Sequence, residues 1–322
     1  MAYELDVLIY KKNESYKPAV LDGFTIDMEM NSPSRMDFSV IKQKDYTIQE
    51  GDRVTVTKKV DGKQYNIFYG FIFSKSLGKD DVLKLTAYDQ LRYFKNKHLL
   101  IYENLTLGGV FKKCCEDFNL NYVIKADNTT KIAYRAEIDK SLFDITQYAL
   151  DYAFTKDSRI FIIYDNFGVL TLNRIVNMNR FVGDNKKASD FSYETSIDNE
   201  TYNKILVYKE FDKTNFQKVI SENKSLESQW GTLQLVQKAD NDVMNMQNIA
   251  DNLLRDKSKK EETFSLNDLP CKTWIKAGDA VLIELEVNNK KVSQYMLVQS
   301  IKHKFNALHT ADIKLIGGMM NA

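Results

Sequence analysis

The chain is 322 residues long, 43% hydrophobic and 28% charged, with a net charge of +1. That length provides for two or three domains with cores of their own, the hydrophobic content excludes intrinsic disorder, and the balanced charge excludes a dominant attraction to nucleic acid or acidic lipid. Only 3 Pro and 13 Gly interrupt the chain, while 18 Tyr and 18 Phe join many Val, Ile and Thr to favour half-buried sheet surfaces, so the expected fold is mainly β.

Leu5, Val7 and Ile9 alternate with Asp6, Leu8 and Tyr10 as a strand requires, and a polar turn over 11–17 leads to a return strand through Ala19 and Leu21. Further strands are predicted at 24–30 and 36–41. Glu50-Gly51-Asp52 then leads into Val54 and Val56, alternating with Arg53, Thr55 and Thr57; Gly51 supplies backbone freedom and Asp52 can hydrogen-bond the turn. Strands at 65–74 and 82–88 flank the polar turn 78–81. This series of short strands predicts a first β-barrel domain over 1–96.

Residues 97–200 change character. Thr106 can cap a helix running to Phe118, with Val110, Phe111, Cys114 and Phe118 on one face and Gly108-Gly109 weakening its first turn. Ser141 and Asp144 have the spacing of a capping box, and Leu142, Ile145, Tyr148, Ala149 and Tyr152 continue the helical period. Strands at 159–164 and 169–173 flank the turn Asp165-Asn166-Phe167-Gly168. The prediction is a small α/β middle domain, ending in a polar stretch over 183–200 that reads as a linker or long loop.

From 201 to 322 the opening pattern returns. Lys204-Ile205-Leu206-Val207-Tyr208-Lys209 is close to Asp6-Val7-Leu8-Ile9-Tyr10-Lys11, and Gly278-Asp279-Ala280-Val281-Leu282-Ile283 echoes Gly51-Asp52-Arg53-Val54-Thr55-Val56. Two matches in the same order point to an internal duplication and a second β-barrel domain. The second copy is longer between the motifs, and a helical insertion at 238–260 accounts for most of the difference. Asp240 would cap it, and Val243, Met246, Ile249, Ala250, Leu253 and Leu254 would form its apolar stripe.

Residue types that carry chemistry are few and poorly spaced for it. His98, His303 and His309 form no HxH or HExxH motif, and in polar contexts they are expected at the surface. Cys114, Cys115 and Cys271 are odd in number with two adjacent, a pattern unlike a disulfide framework or a metal-ligand set; Cys114 lies on an apolar stripe and is expected as a core thiol. Asp80-Asp81 and Glu261-Glu262 read as solvated turns, and the cluster 257–260 as a solvated helix end. The pairs Lys58-Lys59, Lys112-Lys113 and Lys186-Lys187 are too short for a nucleic-acid footprint. No catalytic, cofactor-binding or metal residue is therefore assigned. The first residues lack a basic segment followed by an apolar run, and no run of about 18 apolar residues occurs, so a soluble chain without a cleaved export signal is expected.

The segments Glu50-Gly51-Asp52-Arg53-Val54-Thr55-Val56, Phe68-Tyr69-Gly70-Phe71-Ile72 and Leu85-Thr86-Ala87-Tyr88-Asp89-Gln90-Leu91 resemble the amino-terminal barrel of contractile-tail baseplate hub proteins. The stretch 226–235, with Trp230-Gly231-Thr232-Leu233-Gln234, followed by the helix to Leu254 and by Gly278-Asp279, resembles the same family's carboxy-terminal part. The likeness is nearest to hubs of phages, defective prophages and phage-tail-like bacteriocins of low-GC Gram-positive bacteria. It implies a homotrimeric ring, assembled in the bacterial cytoplasm, at the baseplate of a virion or tail-like particle. Its partners would be the central spike protein, the tail tube or tube-initiator protein and other baseplate proteins, with no cofactor. Two similar barrels per subunit would let three copies present six barrels to a sixfold tube while keeping threefold symmetry for a trimeric spike. A tail-associated cell-wall hydrolase or glycan-binding module is the alternative, and requires a carboxylate pair or Cys-His pair in a cleft. A third is the spike-bearing protein of a secretion system, which would carry a β-helical needle.

Overall fold

In the computed structural model the chain opens with β1 (Glu4–Lys11), β2 (Glu14–Tyr16), β3 (Val20–Glu29) and β4 (Arg35–Ile41), then β5 (Arg53–Val60), β6 (Lys63–Leu77) and β7 (Val82–Tyr88). The described residues are 3–317 except 13, 45, 79, 183–187, 213, 240–244 and 288–289, with the side chains of 22, 285–287 and 290–292 also left aside. Period-two alternation turns Met36, Phe38 and Val40 of β4 inward, where they meet Ile9, Ile26, Val54, Val56 and Ile72 in one core.

A 3-10 helix over Gln90–Lys95, capped by the Asp89 carboxylate accepting from the Leu91 amide, leads into the middle of the chain. There follow β8 (Lys97–Leu105), α1 (Leu107–Asp117), β9 (Tyr122–Ile124), β10 (Ile132–Ser141), α2 (Leu142–Asp157), β11 (Phe161–Asp165) and β12 (Leu170–Arg174). Thr106 caps α1 through Gly109, and Ser141 with Asp144 makes the complete capping box that their spacing predicts. Cys114 and Cys115 are buried with Phe111, Leu142, Ile145 and Leu172 in a core belonging to this region.

The remaining elements are β13 (Arg180–Val182), β14 (Asp190–Ser196), β15 (Lys204–Asp212), β16 (Asn215–Glu222), α3 (Lys224–Trp230), β17 (Gln234–Lys238), α4 (Met246–Lys257), β18 (Glu261–Pro270), β19 (Ala280–Val287), β20 (Lys290–Phe305) and β21 (His309–Ile316). Thirteen strands share one sheet, whose path runs β14-β18-β21-β20-β3-β4-β7-β6-β5-β1-β2, with β19 on β20 and β13 on β19. It contains two barrels of the same strand order, β1-β5-β6-β7-β4-β3 and β13-β19-β20-β21-β18-β14, each around its own core. The fold is thus mainly β, as its composition implies.

The Gly-Asp signature recurs bond for bond. Gly51 and Gly278 both have φ of 89°, a left-handed conformation that glycine adopts without strain. The Gly51 amide donates to Ile72 O at 2.7 Å and the Ile72 amide returns to Asp52 O at 2.9 Å; Gly278, Val298 and Asp279 repeat this at 2.8 and 2.8 Å. Asp52 accepts from the Gln49 amide at 2.8 Å as Asp279 does from Lys276 at 2.7 Å. Even the bulge that follows is shared, between Ile72 and Ser74 against β7 and between Val298 and Ser300 against β21.

The other half of the predicted repeat is corrected. β15, the echo of β1, pairs with β16 and β17 in a separate three-stranded sheet, where Ile205 and Val207 pack on Ile249 and Ala250 of α4. The place beside β19 is taken instead by β13, in parallel, whereas β1 is antiparallel to β5. Alternating apolar residues fit any sheet with a helix on one face, so the β15 motif did not specify its neighbour. The polar stretch expected as a linker contains β14, paired along β18 with Phe191 against Phe264 and Tyr193 packed on the second core, a placement its overall polarity does not reveal. Glu261-Glu262 likewise opens β18 instead of forming a turn; Glu262 accepts from Tyr193 and Gln294 at 3.1 and 2.9 Å. The proposed Asp240 cap and Val243 lie outside the described residues, as do Lys79, Lys186 and Lys187; the described part of α4 is capped by Asn245.

Candidate functional site

The two barrels meet along β3 and β20, which pair antiparallel from Ser300↔Glu29 to Phe305↔Phe24. Phe24 stacks on Phe305 at 4.6 Å, and Lys302 pairs with Asp27 at 3.4 Å. Burying each ring is worth about 1.5–3 kcal/mol, so apolar contact, more than the half-exposed ion pair, holds the seam. Gly23 admits the approach: its φ is +77°, and any Cβ there would overlap the Phe305 carbonyl oxygen.

Behind the seam lies a buried polar chain. Lys58 reaches from the first barrel, donating to Cys271 O at 3.0 Å and to His309 Nδ1 at 2.6 Å. His309 Nε2 lies 2.9 Å from His303 Nδ1, and His303 Nε2 lies 2.9 Å from Ile275 O. One assignment of ring protons satisfies every step, with His309 donating to His303 and His303 donating to the carbonyl. Trp274 stacks on His303 and Phe305 on His309, each at 4.2 Å. Burial pushes the His303 imidazole down to about 3, lowers that of His309 as well, and pulls the Lys58 ammonium down to about 8.

These positions correct the expectation that His303 and His309 lie at the surface: both are buried, His303 at 0% exposure. The signal was in the sequence, because Ile301, His303 and Phe305 alternate along one inward face of β20, and His309, Ala311 and Ile313 along one of β21. His98 does lie near the surface, 2.9 Å from Asp117. Cys271, His303 and His309 bring their ligand atoms within 4.8 Å of one another, the one such grouping among the described residues. Their ring nitrogens are already committed to the hydrogen-bond chain, and a cation there would sit against the Lys58 ammonium. Cys271 with these histidines has the residue types of a nucleophilic site, but the thiol is buried and burial pushes it up to about 12. Cys114 is similarly pushed up to about 12.

A second set of buried carboxylates ties the barrels to the middle region. Asp89 accepts from the Ser34 and Leu91 amides at 2.9 and 3.0 Å, and Asp165 from the Gln90 and Gly168 amides at 3.2 and 2.6 Å. Asp279 accepts from Asn179 as well as Lys276. Desolvation raises all three, Asp165 and Asp279 to about 6. Each sits in a fully occupied turn or cap, a positioning arrangement. Asp80 and Asp81 lie in a turn as expected, with Asp81 O accepting from the Lys42 amide at 2.8 Å.

What remains open is strand edge. β14 ends the large sheet, and the β5–β6 ladder stops at Phe71, leaving 74–77 of β6 without a strand on that side among the described residues. The barrel seam and these two edges, capable of main-chain pairing, are the surfaces on which a role in assembly would rest.

A family model described as YQBQ-like matches residues 24–316. No curated protein matches the chain. Among solved structures, a tail protein from Neisseria meningitidis MC58 aligns with a TM-score of 0.73 at 12% identity, covering 100% of this chain and 99% of that one. The 43 kDa tail protein of prophage MuSo2 from Shewanella oneidensis aligns at 0.70 and 12% identity, covering 97% and 98%. The E. coli protein c3393, a type VI secretion component with structural similarity to the T4 bacteriophage tail proteins gp27 and gp5, aligns at 0.54 and 7% identity, covering 98% and 74%.

Proposed function

Because the chain belongs to the YQBQ-like family and has the fold of prophage tail proteins, we propose that it is the structural hub of a contractile-tail baseplate, in which three copies form a ring between the sixfold tail tube and the trimeric central spike. The observation that carries this reading is the pair of barrels with one strand order, fused side by side in one sheet. A chain built this way supplies two tube-like units, so three copies supply six, and the ring adapts sixfold to threefold symmetry. Its partners are further copies of itself, the spike, the tube or tube initiator and neighbouring baseplate proteins. The work is assembly and force transmission instead of catalysis, consistent with polar clusters that are consumed in positioning turns and strands. The particle is assembled in the bacterial cytoplasm and carries the protein at its baseplate.

Light scattering of the purified protein, alone and mixed with the spike protein encoded nearby, tests the reading. A mass near three times 37.3 kDa in either state is expected. A persistent monomer in both would contradict it and favour the cell-wall-binding or cell-wall-cleaving alternative.

A further inference from the structure

The seam inside one molecule is a template for a seam between molecules. Aligning the barrels on their Gly-Asp turns makes Ile72 equivalent to Val298, so 74–77 of β6 correspond to 300–303 of β20. Following the ladders through β7 and β4, and through β21 and β18, makes Asp27, Ile26 and Phe24 of β3 equivalent to Glu194, Tyr193 and Phe191 of β14. In the second barrel the β19 ladder ends at Leu297 and β3 takes over at Ser300. In the first, the β5 ladder ends at Phe71, and no described strand takes over at Ser74.

The side chains mark the same vacancy. Phe24 is 5% exposed beneath its β20 neighbour, whereas its equivalent Phe191 is 54% exposed on the outer strand. His303 is 0% exposed at the seam, whereas its equivalent Leu77 is 53% exposed. Two open edges that each carry an uncovered apolar side chain, and whose equivalents are already joined within the chain, are complementary to each other.

We propose that β14 of one copy adds to the β6 edge of the next in antiparallel register, with Ser196 opposite Ser74, Thr195 opposite Lys75, Glu194 opposite Ser76 and Tyr193 opposite Leu77. The contact is head-to-tail, and such a contact closes into a ring or continues as a filament. That it closes at three copies rests on the function proposed above; the pairing rests on the register.

The test is a disulfide between copies in the full-length protein carrying Ser76→Cys and Glu194→Cys, both exposed positions. Directly opposed Cβ atoms stand about 4.5–5.5 Å apart, close enough to be bridged with little adjustment. The native cysteines are all buried and need no removal. Mild oxidation is expected to give linked dimers and trimers on a non-reducing gel, with neither single variant linking and the register-shifted pair Ser76→Cys with Ser192→Cys linking at least tenfold less. A ladder extending past three copies supports the pairing and removes the closed trimer. A trimer by light scattering that forms no such links, or that links equally in the shifted register, overturns the pairing and leaves the ring standing. A protein that stays monomeric and unlinked both alone and mixed with the spike protein overturns both.

Discussion

At the scale of single residues, the polar groups at the barrel seam show how burial redirects chemistry. Lys58, His309, His303 and Ile275 O form a chain in which each ring N–H meets an acceptor, so two imidazoles that would titrate near neutrality in water are held neutral. The folded value for His303, about 3, lies below its ordinary 6.5, so protons bind the unfolded chain preferentially between those values. The stabilisation from this residue is full above about pH 6.5 and is lost as pH falls toward 3. Asp165 and Asp279, raised to about 6, act in the opposite sense, holding protons the unfolded chain has released, so stability from them declines as pH rises through the interval from 3.8 to 6. The two effects offset one another in a global unfolding curve, which is why a site-specific readout is needed. Nitrogen-15 NMR of labelled histidines at pH 5 should show His303 neutral, with its proton on Nε2; titration of His303 near pH 6.5 would refute the buried chain.

At the scale of elements, local chemistry and tertiary placement separate cleanly. The start of α2 was legible because a capping box is a local contract among four residues: Ser141 accepts from the Asp144 amide and Asp144 accepts from Ser141. Replacing Ser141 with Ala should cost about 1 kcal/mol and speed hydrogen exchange of the Asp144 amide roughly fivefold, with β1 to β7 unaffected; an unchanged rate would show that the cap carries no load. The Gly-Asp turns were legible for the same reason, since glycine's positive φ and the aspartate's bonds are set by nearest neighbours. β14 is not legible because its partner β18 is distant in sequence, and the place of β15 is not legible because the local hairpin it forms with β16 fits a barrel as well as a separate sheet. Asp190–Ser196 alternates Phe191 and Tyr193 with polar residues, a signal too short to stand out from the polar stretch around it, while β15 has the periodicity of a barrel strand and was claimed by β16, β17 and α4. Gly108 shows a subtler limit: it looked like a weakness in the first turn of α1, yet a Cβ there would collide with the Asp127 carboxylate that accepts its amide at 2.7 Å. Sequence reported the propensity cost and concealed the contact that requires it.

At the scale of the whole molecule, a mainly β fold with a recurring Gly-Asp turn could be anticipated, while the recruitment of 180–182 and 190–196 into the second barrel and the seam could not. Nothing in the residues of β3 or β20 announces that a strand near the beginning of the chain pairs with one near its end, yet this one ladder turns two barrels into a single sheet. The same ladder gives the hub reading its physical content. If the seam within a chain is repeated between chains, a closed ring presents six barrels of one design at regular intervals, and its inner strands form a surface continuous through every subunit. The most direct measurement is electron microscopy of the purified ring, or of tail ends released from particles, averaged in top view without imposed symmetry. Six lobes of density alternating in shape about a threefold axis are expected; a ring of three lobes, or barrels separated by gaps where β14 should meet β6, would contradict the repeated seam.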